Sequence, residues 1–453
     1  MEIQGSTAHL ALLCSPGMGH LIPFAQLASR LAKVYNIAIT LLINSENPSN
    51  PAYLSLLDSL PDGVDAVTLP LPPPNSIPEG GSPMTKIILT VISSLPHVHS
   101  NLTRLISTKS LSALVIDLFS FPAKEMAGQL GLPCYLFYPS PCTALALNFH
   151  APELVKSYQG EFKDLPEPVK LPGCIPISGP DLVEPLQDRT TEMYHGFLQL
   201  CTQLFDMKGI LVNTYEELEP GVVKTLREPD EVRPPVYAVG PLTRPIESEA
   251  DRTHESITWL DLQPDKSVVY VALGSWGILN QEQVRELALG LELSGHRFVW
   301  VITGCSDALP EGFEEKTKEI GHVVTSWAPQ LAILKHKSIG LFLTHCGWSS
   351  VLESVTSGVP MVSLPMYAEQ RLNAALLTDG AKVCFRPKES ESGLIPRDEI
   401  VRVVKCVIEG EEGEVLRKRV GELKNAAVHA LLEGGSSYQA MAEVVEVWNK
   451  NVA

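Results

Sequence analysis

The sequence has few of the features that would point to a membrane, a nucleic acid or a metal as the partner of this protein. No apolar stretch in its 453 residues reaches the roughly 20 residues that a membrane-spanning helix needs. Acidic residues outnumber basic ones by 52 to 35, and the net charge of −17 disfavours nucleic acid or an anionic membrane surface. The nine cysteines show no C-x-x-C or zinc-like spacing, and their odd number favours reduced thiols in a cytoplasmic protein.

Signals for export and for two common nucleotide sites are missing as well. The N-terminal residues have no basic cluster before their short apolar run, so we expect no secretory signal. Gly17 and Gly19 follow a predicted strand, but Ile22 stands at the third glycine position of a dinucleotide-binding fingerprint. No G-K-[ST] sequence is present, which excludes a P-loop. These absences argue against a dehydrogenase and against a P-loop nucleotidase.

Short apolar runs do alternate with helical patterns along the chain, which is typical of α/β domains built on parallel sheets. At this length two domains are expected. Residues 243–256 are polar and aperiodic, and we interpret them as a linker between an N-terminal domain, 1–242, and a C-terminal domain, 257–436. Residues 44–82, rich in proline and serine, are expected to form loops and short turns along an acceptor pocket.

The most informative stretch runs from Trp327 to Gln370. It contains two junctions between a predicted strand and a polar turn, and ligands of open parallel sheets bind at such carboxyl strand ends. A helix predicted to begin at Ser349–Ser350 would present free N–H groups to a phosphate. Side chains suited to the rest of a nucleotide sugar accompany it: Trp327 for a planar base, His345 as a further donor, Glu353 for a ribose diol, and Glu369 and Gln370 for sugar hydroxyls.

This stretch resembles the donor-binding signature of plant family 1 UDP-glycosyltransferases at W-A-P-Q, H-C-G-W, the following Ser and Glu, G-V-P and A-E-Q. The resemblance implies the GT-B fold, in which two Rossmann-like β/α domains face each other across a cleft, with a C-terminal helix of about 437–453 packing back on the N-terminal domain. It implies UDP-glucose as co-substrate and no other cofactor. The donor-binding residues that it implies are Ser275, Trp327, Ala328, Gln330, His345, Trp348, Ser349, Ser350, Glu353, Glu369 and Gln370.

The same resemblance suggests how an acceptor would be activated. A phenol is a weak nucleophile while protonated, so a base with a pKa near neutrality helps. His20, just after the first strand, matches the family's general base, and Asp117 matches the carboxylate that orients it. No D-x-D pair that could hold a metal accompanies the donor stretch. The acceptor-binding residues that we expect are His20, Phe119, Ser140, Trp276, Tyr367 and Ala368.

Three positions depart from the family pattern. Ser349 replaces an asparagine, which removes one amide donor and predicts a weaker donor site. Trp276 stands where a small residue is usual, and it either narrows the acceptor side or packs against a loop. Pro141 occupies the place of a threonine near the sugar, which leaves Ser140 as a substitute hydrogen-bonding side chain.

The sequence as a whole predicts an inverting glucosyltransferase acting on a phenolic hydroxyl of a small aromatic acceptor. The stretches S-P-G-M-G-H-L-I-P, G-I-L-V-N-T, E-L-E-P and L-P-G-C resemble the branch that acts on hydroquinone and monolignols, enzymes of plant phenolic glucoside metabolism. We expect a monomer that binds UDP-glucose and an aromatic acceptor. Two alternatives remain open at this point: C-, N- or S-glycosylation of a related acceptor, and a weakly active UDP-sugar-binding protein.

Overall fold

The computed structural model describes residues 8–45, 47–73, 76–77, 83–244, 249–274 and 279–451. They form two compact units, each made of several chain segments. The first comprises Met1–Gln159, Arg189–Thr243 and His429–Ala453, and the second comprises Gly160–Asp188 and Arg244–Val428, as far as these ranges are described. Residues 160–188 therefore belong to the second unit, although the boundary drawn from the sequence put all of 1–242 in the N-terminal domain.

The first unit is built on a parallel sheet of seven strands among the described residues, in the order β3-β2-β1-β4-β5-β6-β7. The strands are β1 His9–Cys14, β2 Ala38–Ile43, β3 Val64–Thr68, β4 Leu111–Ile116, β5 Cys134–Tyr138, β6 Ile210–Val212 and β7 Val236–Ala238. Every residue of β1 is buried, as expected of a central strand covered on both faces. Strands β1 and β4 are neighbours, with Leu12 paired to Val115, so the residues that follow them meet at one edge of the sheet.

Helices cover the sheet of the first unit and share its core. They are α1 Met18–Tyr35, α2 Pro51–Asp58, α3 Pro83–Thr108, α4 Pro122–Gln129, α5 Cys142–Ser157, α6 Glu192–Gln203 and α7 Pro220–Arg227, with the C-terminal helix α17 Ser436–Lys450. Trp448 of α17 is fully buried and meets the ring of Tyr135 edge-on at 5.4 Å. The last helix is thus part of the core of this unit.

One local prediction in the first unit was wrong. Residues 44–82 contain a helix, α2, and an edge strand, β3, in addition to loops. Pro51 begins α2 with the Asn50 side chain accepting from the N–H of Ala52, a start signal that the high proline content obscured.

The second unit is a parallel sheet of six described strands in the order β10-β9-β8-β11-β12-β13. The strands are β8 Val268–Ala272, β9 Arg297–Val301, β10 Gly321–Val324, β11 Ile339–Thr344, β12 Met361–Ser363 and β13 Cys384–Phe385. Its helices are α8 Glu249–Arg252, α9 Glu255–Asp261, α10 Gln281–Ser294, α11 Phe313–Thr317, α12 Gln330–Lys335, α13 Trp348–Ser357, α14 Gln370–Ala375, α15 Arg397–Glu409 and α16 Glu411–Leu431. Residues 249–252 are helical, so the segment interpreted as a linker carries some regular structure.

Helix α10 begins with a side-chain cap. Asn280 accepts from the N–H of Gln283 at 2.7 Å. The Gln283 side-chain amide bonds both backbone groups of Ile395 at 2.9 Å, and so ties α10 to the segment before α15.

No helix among the described residues is both long enough and apolar enough to cross a bilayer.

Candidate functional site

His20 and Asp117 meet at the carboxyl edge of the first sheet. His20 lies in the first turn of α1, and Asp117 follows β4 directly. The His20 Nδ1 is 3.2 Å from the Asp117 Oδ2, and the two side chains are 24% and 1% exposed. The approach is within ion-pair range, but the N–H direction does not meet the geometry of a straight hydrogen bond. The imidazole is thus open to a ligand while its carboxylate partner is shielded from water.

A serine that sequence reasoning missed holds the Asp117 carboxylate. Ser15 donates its hydroxyl to Oδ1 at 2.6 Å and its backbone N–H to Oδ2 at 3.0 Å. The Ser120 hydroxyl lies 3.3 Å from that of Ser15. Burial alone would raise the pKa of Asp117, but the contacts with His20, Ser15 and Ser120 outweigh it and keep the pKa below its ordinary value. The carboxylate is therefore ionised and fixed in orientation at neutral pH.

Replacing Ser15 with alanine tests this arrangement. The backbone bond survives and the hydroxyl bond is lost, so we expect a loss of roughly 1–2 kcal/mol from the first unit at pH 7. The pKa of Asp117 is depressed in the folded state, so its contribution is present above the ordinary value of 3.8 and disappears as the pH falls through the folded value. Urea unfolding at pH 7 and below pH 3.8 measures both effects. A stability difference that is the same at both pH values would contradict this account.

One residue of the predicted acceptor group contacts His20. The Phe119 ring meets the His20 ring edge-on, with centroids 5.3 Å apart. Ser140, another residue of that group, lies half-buried in the turn between β5 and α5.

A cavity of about 80 Å³ opens beside the first turn of α1. It is lined by residues at the start of that helix, which were not predicted to line a pocket, and by residues of the 44–82 stretch, which was: Gly17, Met18, Leu21, Asn44, Ser45, Asn47, Asn50 and Tyr53. The asparagines give the walls of this cavity side-chain amide groups.

The first of the two polar turns in the predicted donor-binding stretch lies at the N-terminus of α13. The helix begins at Trp348, one residue earlier than predicted. Gly347 stands at the N-cap position and has no side chain with which to cap the helix. Its first N–H groups thus have no capping side chain, which suits an anion. Ser349 is exposed and Ser350 is buried. The side chain of Trp348 is also buried, 3% exposed, so this residue can offer a ligand little beyond its backbone.

Gln330 binds two predicted donor-binding side chains of α13, those of Ser350 and Glu353. Its Nε2 donates to the Ser350 hydroxyl at 3.0 Å and to the Glu353 Oε2 at 2.8 Å. Burial raises the pKa of Glu353, and the bond from Gln330 offsets part of that rise. One oxygen of a half-buried carboxylate is thereby occupied, and the residue is oriented before any ligand binds.

His345 is packed between two glycines. Its Nε2 would lie 2.8 Å from a Cβ on Gly274 and 2.4 Å from one on Gly347, so neither position has room for a side chain. Burial lowers the pKa of His345 to about 4, with a backbone bond to Ala272 acting in the opposite direction. The imidazole is therefore neutral at pH 7, so any stabilisation of a phosphate here comes from hydrogen bonding and not from a cation.

Both polar turns contain a non-glycine residue in the left-handed region, Cys346 with φ 64° and Ala368 with φ 55°. This conformation costs roughly 1–2 kcal/mol for a residue with a Cβ and concentrates at functional sites. The carbonyl of Cys346 accepts from the Asn373 side chain at 2.9 Å. In the other turn the Gln370 Oε1 accepts from the N–H groups of Met366 and Tyr367, at 2.9 and 3.2 Å. The amide oxygen of Gln370 is thus used within the turn.

Trp327 has the exposure expected of a stacking platform. Its side chain is 52% exposed, and the His254 ring meets it edge-on at 6.2 Å. Ala328 beside it is buried. Glu369 is half-buried in the second turn, next to Ala368. Ser275 and Trp276 lie outside the described residues.

Among the residues that the structure describes, no group of three or more histidine, cysteine, aspartate or glutamate side chains is arranged to hold a metal ion.

This chain is similar to known proteins over almost its full length. The sequence profile described as "UDP-glucoronosyl and UDP-glucosyl transferase" matches residues 208–413. The hydroquinone glucosyltransferase of Rauvolfia serpentina is 43% identical over 99% of this chain and 99% of its own length. Several solved structures match almost the whole chain, among them the following two. Phytolacca americana UGT2, complexed with UDP-2fluoro-glucose and pterostilbene, has a TM-score of 0.91 at 41% identity and covers 99% of this chain and 100% of its own.

The second structure is a UDP-glucosyltransferase from Polygonum tinctorium capable of glucosylating indoxyl, in complex with 3,4-dichloroaniline. It has a TM-score of 0.92 at 39% identity and covers 98% of this chain and 99% of its own. The parallel α/β sheets of the two units are those of the GT-B fold, which confirms the predicted fold class. From this likeness over nearly its full length, the chain belongs to the plant UDP-glycosyltransferase family and is a glycosyltransferase.

Proposed function

We propose that this enzyme moves glucose from UDP-glucose to a phenolic hydroxyl of a small aromatic acceptor, with inversion at the anomeric carbon and with His20 as the general base. The observation that carries the proposal is the pairing of His20 with Asp117 at 3.2 Å, at the carboxyl edge of the first sheet. A partly exposed imidazole next to a shielded, ionised carboxylate is the arrangement that proton abstraction from an alcohol requires.

The chemistry follows from which ring nitrogen faces the carboxylate. With Nδ1 towards Asp117, the tautomer that donates from Nδ1 leaves the lone pair of Nε2 to accept the phenolic proton. The phenolic oxygen then forms a bond to the anomeric carbon as the bond from that carbon to the UDP oxygen breaks. The electron pair leaves on UDP, and attack opposite to the leaving group inverts the configuration. Asp117 stabilises the imidazolium that forms.

In this proposal the second unit holds the donor and supports its leaving charge. The backbone N–H groups at the start of α13, with Ser350 and the neutral His345, face the diphosphate. Trp327 stacks on uracil, and Glu353 accepts from the ribose. Glu369 and the amide of Gln370 bind sugar hydroxyls. The reaction as written needs no resident cofactor or metal.

The choice of sugar and acceptor draws support from the relatives. The Rauvolfia protein is named for hydroquinone and glucose, and the Phytolacca structure holds UDP-2fluoro-glucose and pterostilbene. The test is incubation of the purified enzyme with UDP-glucose and a panel of phenols, anilines and thiols, followed by UDP release and product mass. A glucoside formed from the phenols that acid hydrolyses supports the proposal, whereas products from the anilines or thiols alone would indicate N- or S-glycosylation. An acid-resistant product would indicate C-glycosylation, and binding of UDP-glucose without product would indicate the weakly active alternative.

A substitution at Ser349 that should strengthen the binding of UDP-glucose tests the proposed donor site. The residue is exposed in the first turn of α13, and no cap bond from a side chain occupies that end. Ser349→Asn adds an amide donor, so we expect the KM for UDP-glucose to fall by about fivefold, near 1 kcal/mol. Calorimetry of UDP-glucose binding separates affinity from turnover. An unchanged or higher KM would count against a phosphate or sugar contact at this position.

A further inference from the structure

A segment far away in the sequence forms a pair of hydrogen bonds, here called the clasp, with the turn that carries the predicted sugar-binding residues. Residues 160–188, here called the crossover segment, belong to the second unit. Within it, the backbone N–H of Glu184 donates to the carbonyl of Ala368 at 2.8 Å. The Glu184 Oε2 accepts the N–H of Ala368 at 2.7 Å. One residue thus binds both peptide groups of Ala368.

This clasp fixes the conformation of Ala368. The N–H belongs to the peptide before its Cα and the carbonyl to the peptide after it, so holding both restrains φ and ψ together. Ala368 has φ 55°, a region that residues other than glycine adopt only when their surroundings stabilise it. Glu369 and Gln370 come next in the chain, and their direction depends on these two angles.

The crossover segment is itself firmly attached, so it can act as a fixed support. Asp181 accepts from Arg386, just after β13, at 2.6 Å and from Ser178 at 2.7 Å. Leu182 and Leu186 are fully buried. A displacement of Glu184 would therefore disturb a packed segment, and the clasp resists movement of the 366–370 turn.

We infer that Glu184 is a positioning residue that sets the affinity and the sugar preference of the donor site by holding Ala368 left-handed. The inference rests on the proposed function, in which Glu369 and Gln370 meet the sugar. It predicts a specific pattern: loss of Glu184 weakens binding of UDP-glucose but not of UDP, because UDP lacks the sugar and makes its contacts at Trp327 and α13.

The experiment compares Glu184→Ala with Glu167→Ala, an exposed glutamate of the same crossover segment. For Glu184→Ala we expect the KM and the dissociation constant of UDP-glucose to rise about fivefold, and the preference for UDP-glucose over UDP-galactose to fall. The inhibition constant of UDP should stay within about twofold, and Glu167→Ala should match the wild type. An unchanged KM, or equal increases for UDP-glucose and UDP, would overturn the inference.

A rescue distinguishes positioning from general support of the fold. Glycine adopts the left-handed conformation without strain, so adding Ala368→Gly to Glu184→Ala should restore at least part of the lost affinity. A double variant no better than Glu184→Ala would overturn the inference. If Glu184→Ala does not fold, Glu184→Gln keeps the length and an acceptor, and the expected change is smaller in the same direction, with no change again counting against it. Calorimetry without acceptor measures the changes in UDP-glucose and UDP affinity even if the wild-type enzyme transfers no glucose. An absence of glucose transfer by the wild type would refute only the proposed function.

Discussion

Replacing His20 with alanine is expected to lower kcat with an ordinary phenol by about 10²- to 10⁴-fold, the range that a positioned general base contributes. The imidazole is the group at the carboxyl edge of the first sheet that is both accessible and backed by an ionised carboxylate. The donor should still bind with unchanged affinity, because its proposed contacts lie in the second unit. Initial rates and UDP-glucose calorimetry measure the two quantities separately.

The ionisation state of the acceptor provides a sharper control for the role of His20 as a base. A phenol that is already ionised at the assay pH needs no base, so the loss in His20→Ala should shrink markedly with such an acceptor. His99→Ala, which removes an exposed histidine on α3, should behave as the wild type with both acceptors. Equal losses with ionised and neutral phenols would show that His20 supports structure or binding and does not take the proton.

Replacing Glu219 with alanine is expected to produce the largest loss of stability, about 3 kcal/mol or more from the first unit. This buried carboxylate, in the E-L-E-P sequence before α7, caps the start of α5. It accepts from the N–H groups of Cys142 and Thr143 at 3.0 and 2.8 Å, and from the hydroxyls of Thr143 and Thr214 at 2.8 and 2.6 Å. Alanine leaves these buried donors without an acceptor.

Urea unfolding of the first unit measures the effect, and Glu217→Ala is the matched control. Glu217 lies on the same turn and is exposed, so its loss should stay within about 0.5 kcal/mol. A loss in Glu219→Ala no larger than in Glu217→Ala would show that water replaces the carboxylate at no cost.

The pH dependence of Glu219 has a defined sign. Burial raises its pKa above the ordinary value of 4.5, although the bonds from Thr214, Thr143 and Cys142 offset part of the rise. Because the folded state then holds the proton more tightly, this residue's contribution to stability falls as the pH rises from 4.5 through the folded value. Glu219→Gln carries no such titration. The advantage of the wild type over Glu219→Gln should therefore be greater at pH 5 than at pH 8, and the reverse trend would contradict the assignment.

Much of the donor group could be predicted because it lies within one short stretch of sequence. The strand–turn–helix order of residues 340–357 follows from a local pattern of apolar residues and glycine, and the structure begins α13 within one residue of the predicted start at Ser349. Trp327, Glu353 and Gln370 then follow at fixed spacing. The roles proposed for them remain predictions.

Other parts could not be predicted because they depend on contacts between distant segments. The family resemblance implied that Asp117 orients His20, but the sequence around each residue does not show the pairing of β1 with β4 that brings the two side chains together. The Ser15 bonds to Asp117, the Glu219 cap of α5 and the Glu184 clasp of Ala368 are all of this kind.

The sequence by itself determined the order of strands and helices, the family and the residue types available for chemistry, since apolar periodicity and short motifs are local. Only the tertiary structure decided which side chains meet, how burial shifts their pKa values, and that residues 160–188 join the second unit. The reason is physical: hydrogen bonding and desolvation act over a few ångströms in space, whatever the separation along the chain.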